Sequence, residues 1–138
     1  DESGNPLDFS YAAYQAPATA EIADNTFTDP DAAWADGYGR LFIGTDGGQP
    51  DDLGDLQDQL VVFDLTTGEY KRLLMGVNSD EITGITVTPD SKTLFTNTQH
   101  PGNGDPTSTN FPAPQDGITI PRDCTIVLKR KDGGTVGS

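Results

Sequence analysis

Two stretches of this chain repeat one pattern at a spacing of roughly fifty residues, and that repeat constrains the fold more than any single motif. Glu21–Pro30 lies on Glu81–Asp90 without a gap, with Glu-Ile at the head of each and an apolar/Thr alternation behind it. Each is followed by a turn and a second strand containing a Leu-Phe pair, GRLFIGTDG over 39–47 and KTLFTNTQHPG over 92–102. A loop and a third strand come next, QLVVFDL over 59–65 and CTIVLKR over 124–130. Each unit closes on a hairpin signal, Thr67-Gly68 in the first and Asp132-Gly133-Gly134 in the second.

Four antiparallel strands, twice over and with no helix between them, predict an all-β segment of a β-propeller with about two four-stranded antiparallel blades. The expected division is an extended segment over 1–20, a first blade over 21–77 and a second over 78–138, with a Pro-rich loop over 102–121. The 16 glycines and 10 prolines agree, because they favour many turns over packed helices. Trp34, in TFTDPDAAWADGYG, is expected in a loop that anchors over the sheet edge. Two blades cannot close a ring. The remainder of a longer propeller is therefore an expected partner, and exposed blade edges also permit a homo-oligomer, such as three copies closing a six-bladed ring.

The 22 acidic against 8 basic side chains, a formal charge of −14, exclude nucleic acid and anionic membrane surfaces as natural partners. The first 69 residues hold fifteen carboxylates and one basic residue, Arg40. Carboxylates at that density suit hard cations such as calcium, as they also suit a solvated surface. No apolar run is long enough to span a bilayer, and the first residues, DESGNPLDF, carry no signal-peptide pattern. Cys124 is the only cysteine and reads as a small strand hydrophobe.

In a propeller, residues at the start of inner strands from different blades converge at one end of the channel. Asp24, Asn25 and Glu81 hold such positions in the repeat, and their oxygens suit a cation that takes about six to eight of them. His100, the only histidine, closes the second strand of its blade beside Asn97 and Gln99. The loop TDGGQPDDLGDLQD over 45–58 has the composition of a calcium loop but not EF-hand spacing, and reads as a solvated loop. The chain has no nucleophile elbow, phosphate-cradling loop or zinc-protease motif, so no complete active site is legible.

Taken in order, ADNTFTDP…GRLFIGTDG, EITG…VTPDSKTLFTNTQHPG and PRDCTIVLKRKDGGTVGS resemble the C-terminal part of PhoX-type alkaline phosphatases over residues 21–138. Ser91 stands where that family usually has the hairpin glycine. The resemblance implies a propeller enzyme of the periplasm or beyond that hydrolyses phosphate monoesters with calcium and iron. It places Asp24, Asn25 and Glu81 at the metals, with Asn97, Gln99 and His100 supporting them from behind. It also implies that the family's iron-ligating cysteine lies in earlier blades, so that Cys124 is not its counterpart and this chain alone is inactive. The alternative is a small acidic β module that binds calcium or protein without catalysis.

Overall fold

The computed structural model describes residues 29–47 and 57–138. The expected extended segment over 1–20, and Asp24 and Asn25 with it, lie outside these residues. Among them are seven strands in two antiparallel meanders. The first sheet runs in order through β1 (Pro30–Ala35), β2 (Arg40–Thr45), β3 (Gln59–Asp64) and β4 (Tyr70–Met75); the second runs through β5 (Glu81–Val87), β6 (Leu94–Gln99) and β7 (Cys124–Leu128).

Local chemistry sets the turns. Between β1 and β2, Asp36 Oδ1 accepts from Tyr38 N (2.9 Å) and Arg40 N (3.0 Å), while Gly39 takes the left-handed backbone the turn needs. The buried Arg40 guanidinium then pairs with Asp36 at 2.6 Å and lies against the rings of Tyr38 and Phe42. Between β3 and β4, Asp64 Oδ1 accepts from Thr66 N and Thr67 N at 2.8 and 3.0 Å, and Gly68 is left-handed, as the Thr-Gly signal predicted. Between β5 and β6, Ser91 adopts the left-handed conformation that a glycine would supply (φ 56°), with Asp90 Oδ1 accepting from Thr88 Oγ1 and Lys92 N.

One core joins the two sheets: Phe42, Leu60, Val62, Ile82, Ile85, Leu94 and Val136. Burying a side chain of this size contributes about 1.5–3 kcal/mol. The sheets meet closely at Gly44 of β2, where a Cβ would stand 2.0 Å from the backbone oxygen of Ile82 in β5. Only a residue without a side chain lets these two strands approach so far.

Two expectations are corrected. The strand that pairs with β2 as β5 pairs with β6 is Pro30–Ala35, so Trp34 lies in a strand, opposite Phe42, and not in a loop. Thr45 and Thr98 each stand four residues past the leucine of their Leu-Phe pair; Thr45 pairs with Pro30 and Thr98 with Ile82. That register gives Asp29, not Glu21, the place that Glu81 holds in the second sheet.

The second sheet has three strands, not four. After β7, Asp132 holds Arg130 and accepts from Gly134 N at 2.9 Å, so the Asp-Gly-Gly turn does form. The chain beyond it leaves the sheet: Val136 N bonds to Ser91 O at 2.8 Å and its side chain enters the shared core. Burial of Val136 takes the place of a fourth strand, and among the described residues β7 has one unpaired edge. The Pro-rich loop is ordered around Asn110, fully buried, whose Nδ2 donates to Pro106 O and Thr119 O and whose Oδ1 accepts from Asp116 N and Gly117 N.

Candidate metal centre

Three strand ends meet at one end of the sheets. Asp46 follows β2, Glu81 opens β5 and His100 follows β6, and one ligand atom from each lies within 4.8 Å of the others. Two donors that share an ion at roughly 2.4 Å cannot be more than about 4.8 Å apart, so the spacing suits one cation held by all three. His100 Nε2 is 3.5 Å from Glu81 Oε2, and Nδ1 is 3.3 Å from Ser79 O. Glu81 is 7% exposed, whereas Asp46 and His100 face solvent.

Asp46 and His100 border a cleft of about 300 Å³ whose walls also include Asp58 and Asp80. Asp58 closes the base of the acidic loop: it accepts from Thr45 Oγ1 and, at 3.1 Å, from Gly47 N, while Gln59 N donates to Thr45 Oγ1. The ends of the loop read as merely solvated therefore carry Asp46 to the site. Burial raises the Asp58 carboxyl above its ordinary range, and the neighbouring Asp46 and Asp29 add to the rise. Burial likewise raises Glu81, reinforced by Asp46 and Asp31 and opposed by His100. Each of these shifts means that the fold disfavours the charged carboxylate, which a cation bound beside it would stabilise.

Asp80 is 2% exposed, and burial pushes its carboxyl up to about 6. Its Oδ2 accepts from Val77 N at 3.1 Å, and Oδ1 is buried without a hydrogen-bond partner. The carboxylate packs on Gly76, where a Cβ would be 2.2 Å from Oδ1. Because the folded pKa exceeds the unfolded value of 3.8, the folded state binds the extra proton between those values, and the stability this supplies is lost as pH rises through about 6. In the presence of a chelator, Asp80→Asn is therefore expected to stabilise the chain by about 2 kcal/mol at pH 8 and by almost nothing at pH 4. Paired thermal melts at the two pH values measure the difference.

The other expected site residues are placed apart from this cleft. Asn97 and Gln99 border a separate groove with Thr83, Asp123 and Thr125. Asn97 Oδ1 accepts from Thr125 Oγ1 at 2.7 Å, so it ties β6 to β7. Cys124, half-buried, has Thr98 Oγ1 3.6 Å from its sulfur. The structure thus brings Glu81 and His100 together, adds Asp46, and leaves Asn97 and Gln99 on a neighbouring surface. The signal for Asp46 was its position: TDG ends its strand where TQH ends the equivalent one.

The family profile described as alkaline phosphatase PhoX matches residues 2–102. Among solved structures, Pseudomonas fluorescens PhoX in complex with vanadate, a transition state analogue, is similar with a TM-score of 0.66 and 39% identity. That match covers 78% of this chain and 19% of the other, so the chain spans about a fifth of the length of that protein. Comparison with curated proteins yields no match. The all-β fold of two antiparallel sheets fits a segment of a propeller. By the reach of the family match and the agreement of the fold, the chain belongs to the PhoX alkaline phosphatase family.

Proposed function

We propose that this chain contributes part of the metal centre of a phosphatase that hydrolyses phosphate monoesters, with Asp46, Glu81 and His100 holding a cation. The observation that carries the reading is the convergence of three potential ligands from three separate strand ends. Their chemistry fits in part. Two carboxylates supply at most four oxygens, fewer than a calcium ion takes, while imidazole suits iron better than calcium. The set therefore fits one wall of a larger site that uses both ions, with further ligands from the rest of the propeller.

Such a cation, when bound, would accept phosphate oxygens and neutralise the charge that develops in transfer. The chain's own part is to present the ligands. Buried Glu81 is held at the head of β5, Asp46 is fixed by the Thr45–Asp58 contact beneath it, and His100 borders the mouth. Because the chain is about a fifth of the relative, catalysis is assigned to the longer protein and the isolated chain is taken to be inactive. A periplasmic or extracellular setting rests on the family resemblance alone. Among the described residues no helix is long and apolar enough to cross a membrane.

The test is metal removal in a chain that carries the whole propeller. Hydrolysis of p-nitrophenyl phosphate should be lost after exhaustive chelation and return with calcium and iron. Cation binding without any phosphatase activity would favour the acidic binding module instead. Sedimentation of the 138-residue chain reads the other open matter, the free edge of β7: a monomer leaves that edge to the rest of the propeller, and a dimer or trimer assigns it to a second copy.

A further inference from the structure

His100 is held in an uncommon way. Its backbone is left-handed (φ 39°, ψ 45°), a conformation that costs a side-chain-bearing residue roughly 1 kcal/mol. Two contacts fix it. Its backbone N–H donates to Asp123 Oδ1 at 2.7 Å, and its ring Nδ1 lies 3.3 Å from Ser79 O. Asp123 reaches this position because Cys124, the residue after it, opens β7 opposite Thr98 of β6. The two loops are also tied by Gly102 N, which donates to Asn78 O at 2.7 Å.

A carbonyl oxygen can only accept, so the bond to Ser79 puts the imidazole proton on Nδ1. Nε2 then presents a lone pair toward Glu81 Oε2 at 3.5 Å. In the neutral ring the two are acceptors facing each other, an arrangement that a cation between them would complete. We propose that Asp123 is a positioning residue for the metal centre: it holds His100 in the left-handed conformation that seats Nδ1 on the Ser79 carbonyl and turns Nε2 to the ion. This rests on the cation reading of Asp46, Glu81 and His100, and adds that ligand geometry is set from β7, on the far side of β6. Partners of this kind typically change metal affinity by about 10–100-fold.

The experiment uses the 138-residue chain and cobalt(II) as the probe. By calorimetry at pH 8, Asp123→Ala should weaken cobalt binding by roughly tenfold or more, while Asp123→Asn, which keeps an acceptor oxygen for the His100 N–H, should restore it to near the wild-type value. Equal affinity in Asp123→Ala and wild type would overturn the proposal. A long-range proton–nitrogen NMR spectrum of the metal-free chain gives a second readout, unambiguous because His100 is the only histidine. Wild type should show the proton on Nδ1, with a mixture of tautomers in Asp123→Ala. A proton on Nε2 in wild type would overturn the proposal independently of any metal. Failure of wild type to bind cobalt would instead remove the cation reading, and the tautomer spectra would still decide whether Asp123 sets the ring.

Discussion

Glu81→Gln, introduced into a chain carrying the whole propeller, is expected to reduce kcat for p-nitrophenyl phosphate by roughly a thousandfold, or about 4 kcal/mol of transition-state stabilisation. The size follows from what the residue is. It is the one buried member of the three converging groups, and an amide keeps its volume while removing its charge. Replacing a supporting contact would relax the geometry; on the proposed reading, replacing Glu81 removes a ligand. The packing at the head of β5 should survive the change, so the melting temperature should stay close to wild type while activity falls. Steady-state kinetics and a thermal melt on the same preparation check both halves. A variant that keeps full activity would remove Glu81 from the metal centre.

Gly44→Ala should be the most damaging small substitution in the core. The new Cβ would lie 2.0 Å from the Ile82 oxygen and 3.0 Å from its carbonyl carbon. A backbone carbonyl in a paired strand cannot rotate aside, so β2 and β5 must move apart. We expect a loss of about 3 kcal/mol, the upper end of the usual cost of overpacking, measured by urea denaturation. The effect reaches the site as well, because β2 carries Asp46 at its end and β5 carries Glu81 at its head. Cation affinity should fall together with stability in this variant, whereas Glu81→Gln should separate them.

Much of the architecture was legible because two signals agree across the repeat. The Leu-Phe pairs mark the second strands, and Phe42 and Leu94 are both fully buried core residues. The Thr-Gly and Asp-Gly-Gly signals mark turns that form. What misled was β1. Its sequence, PDAAWA, has no apolar alternation because most of the strand is exposed. A gapless superposition therefore had nothing to anchor it, and Glu21 took the place that strand pairing gives to Asp29. The connection from Ala35 to Arg40 is also shorter than that from Val87 to Leu94, a difference that periodicity does not encode.

The site was half legible for a different reason. Glu81 and His100 stood out as a carboxylate at a strand head and a single imidazole at a strand end. Asp46 was hidden at the start of a loop that read as solvated. Its partners come from β5 and β6, so the set exists only when the two sheets pack, and no local spacing rule contains it. Asp58 and Asp80 were likewise ordinary acids in sequence, and only their burial in the walls of the cleft distinguishes them.

The central claim is that Asp46, Glu81 and His100 of this chain hold a cation, and calorimetric titration with calcium of a chain carrying the whole propeller, repeated on Glu81→Gln, tests it most directly. The account predicts saturable binding of one ion at this cleft in wild type and its loss in the variant. Binding of equal strength in both, or none in either, would contradict it.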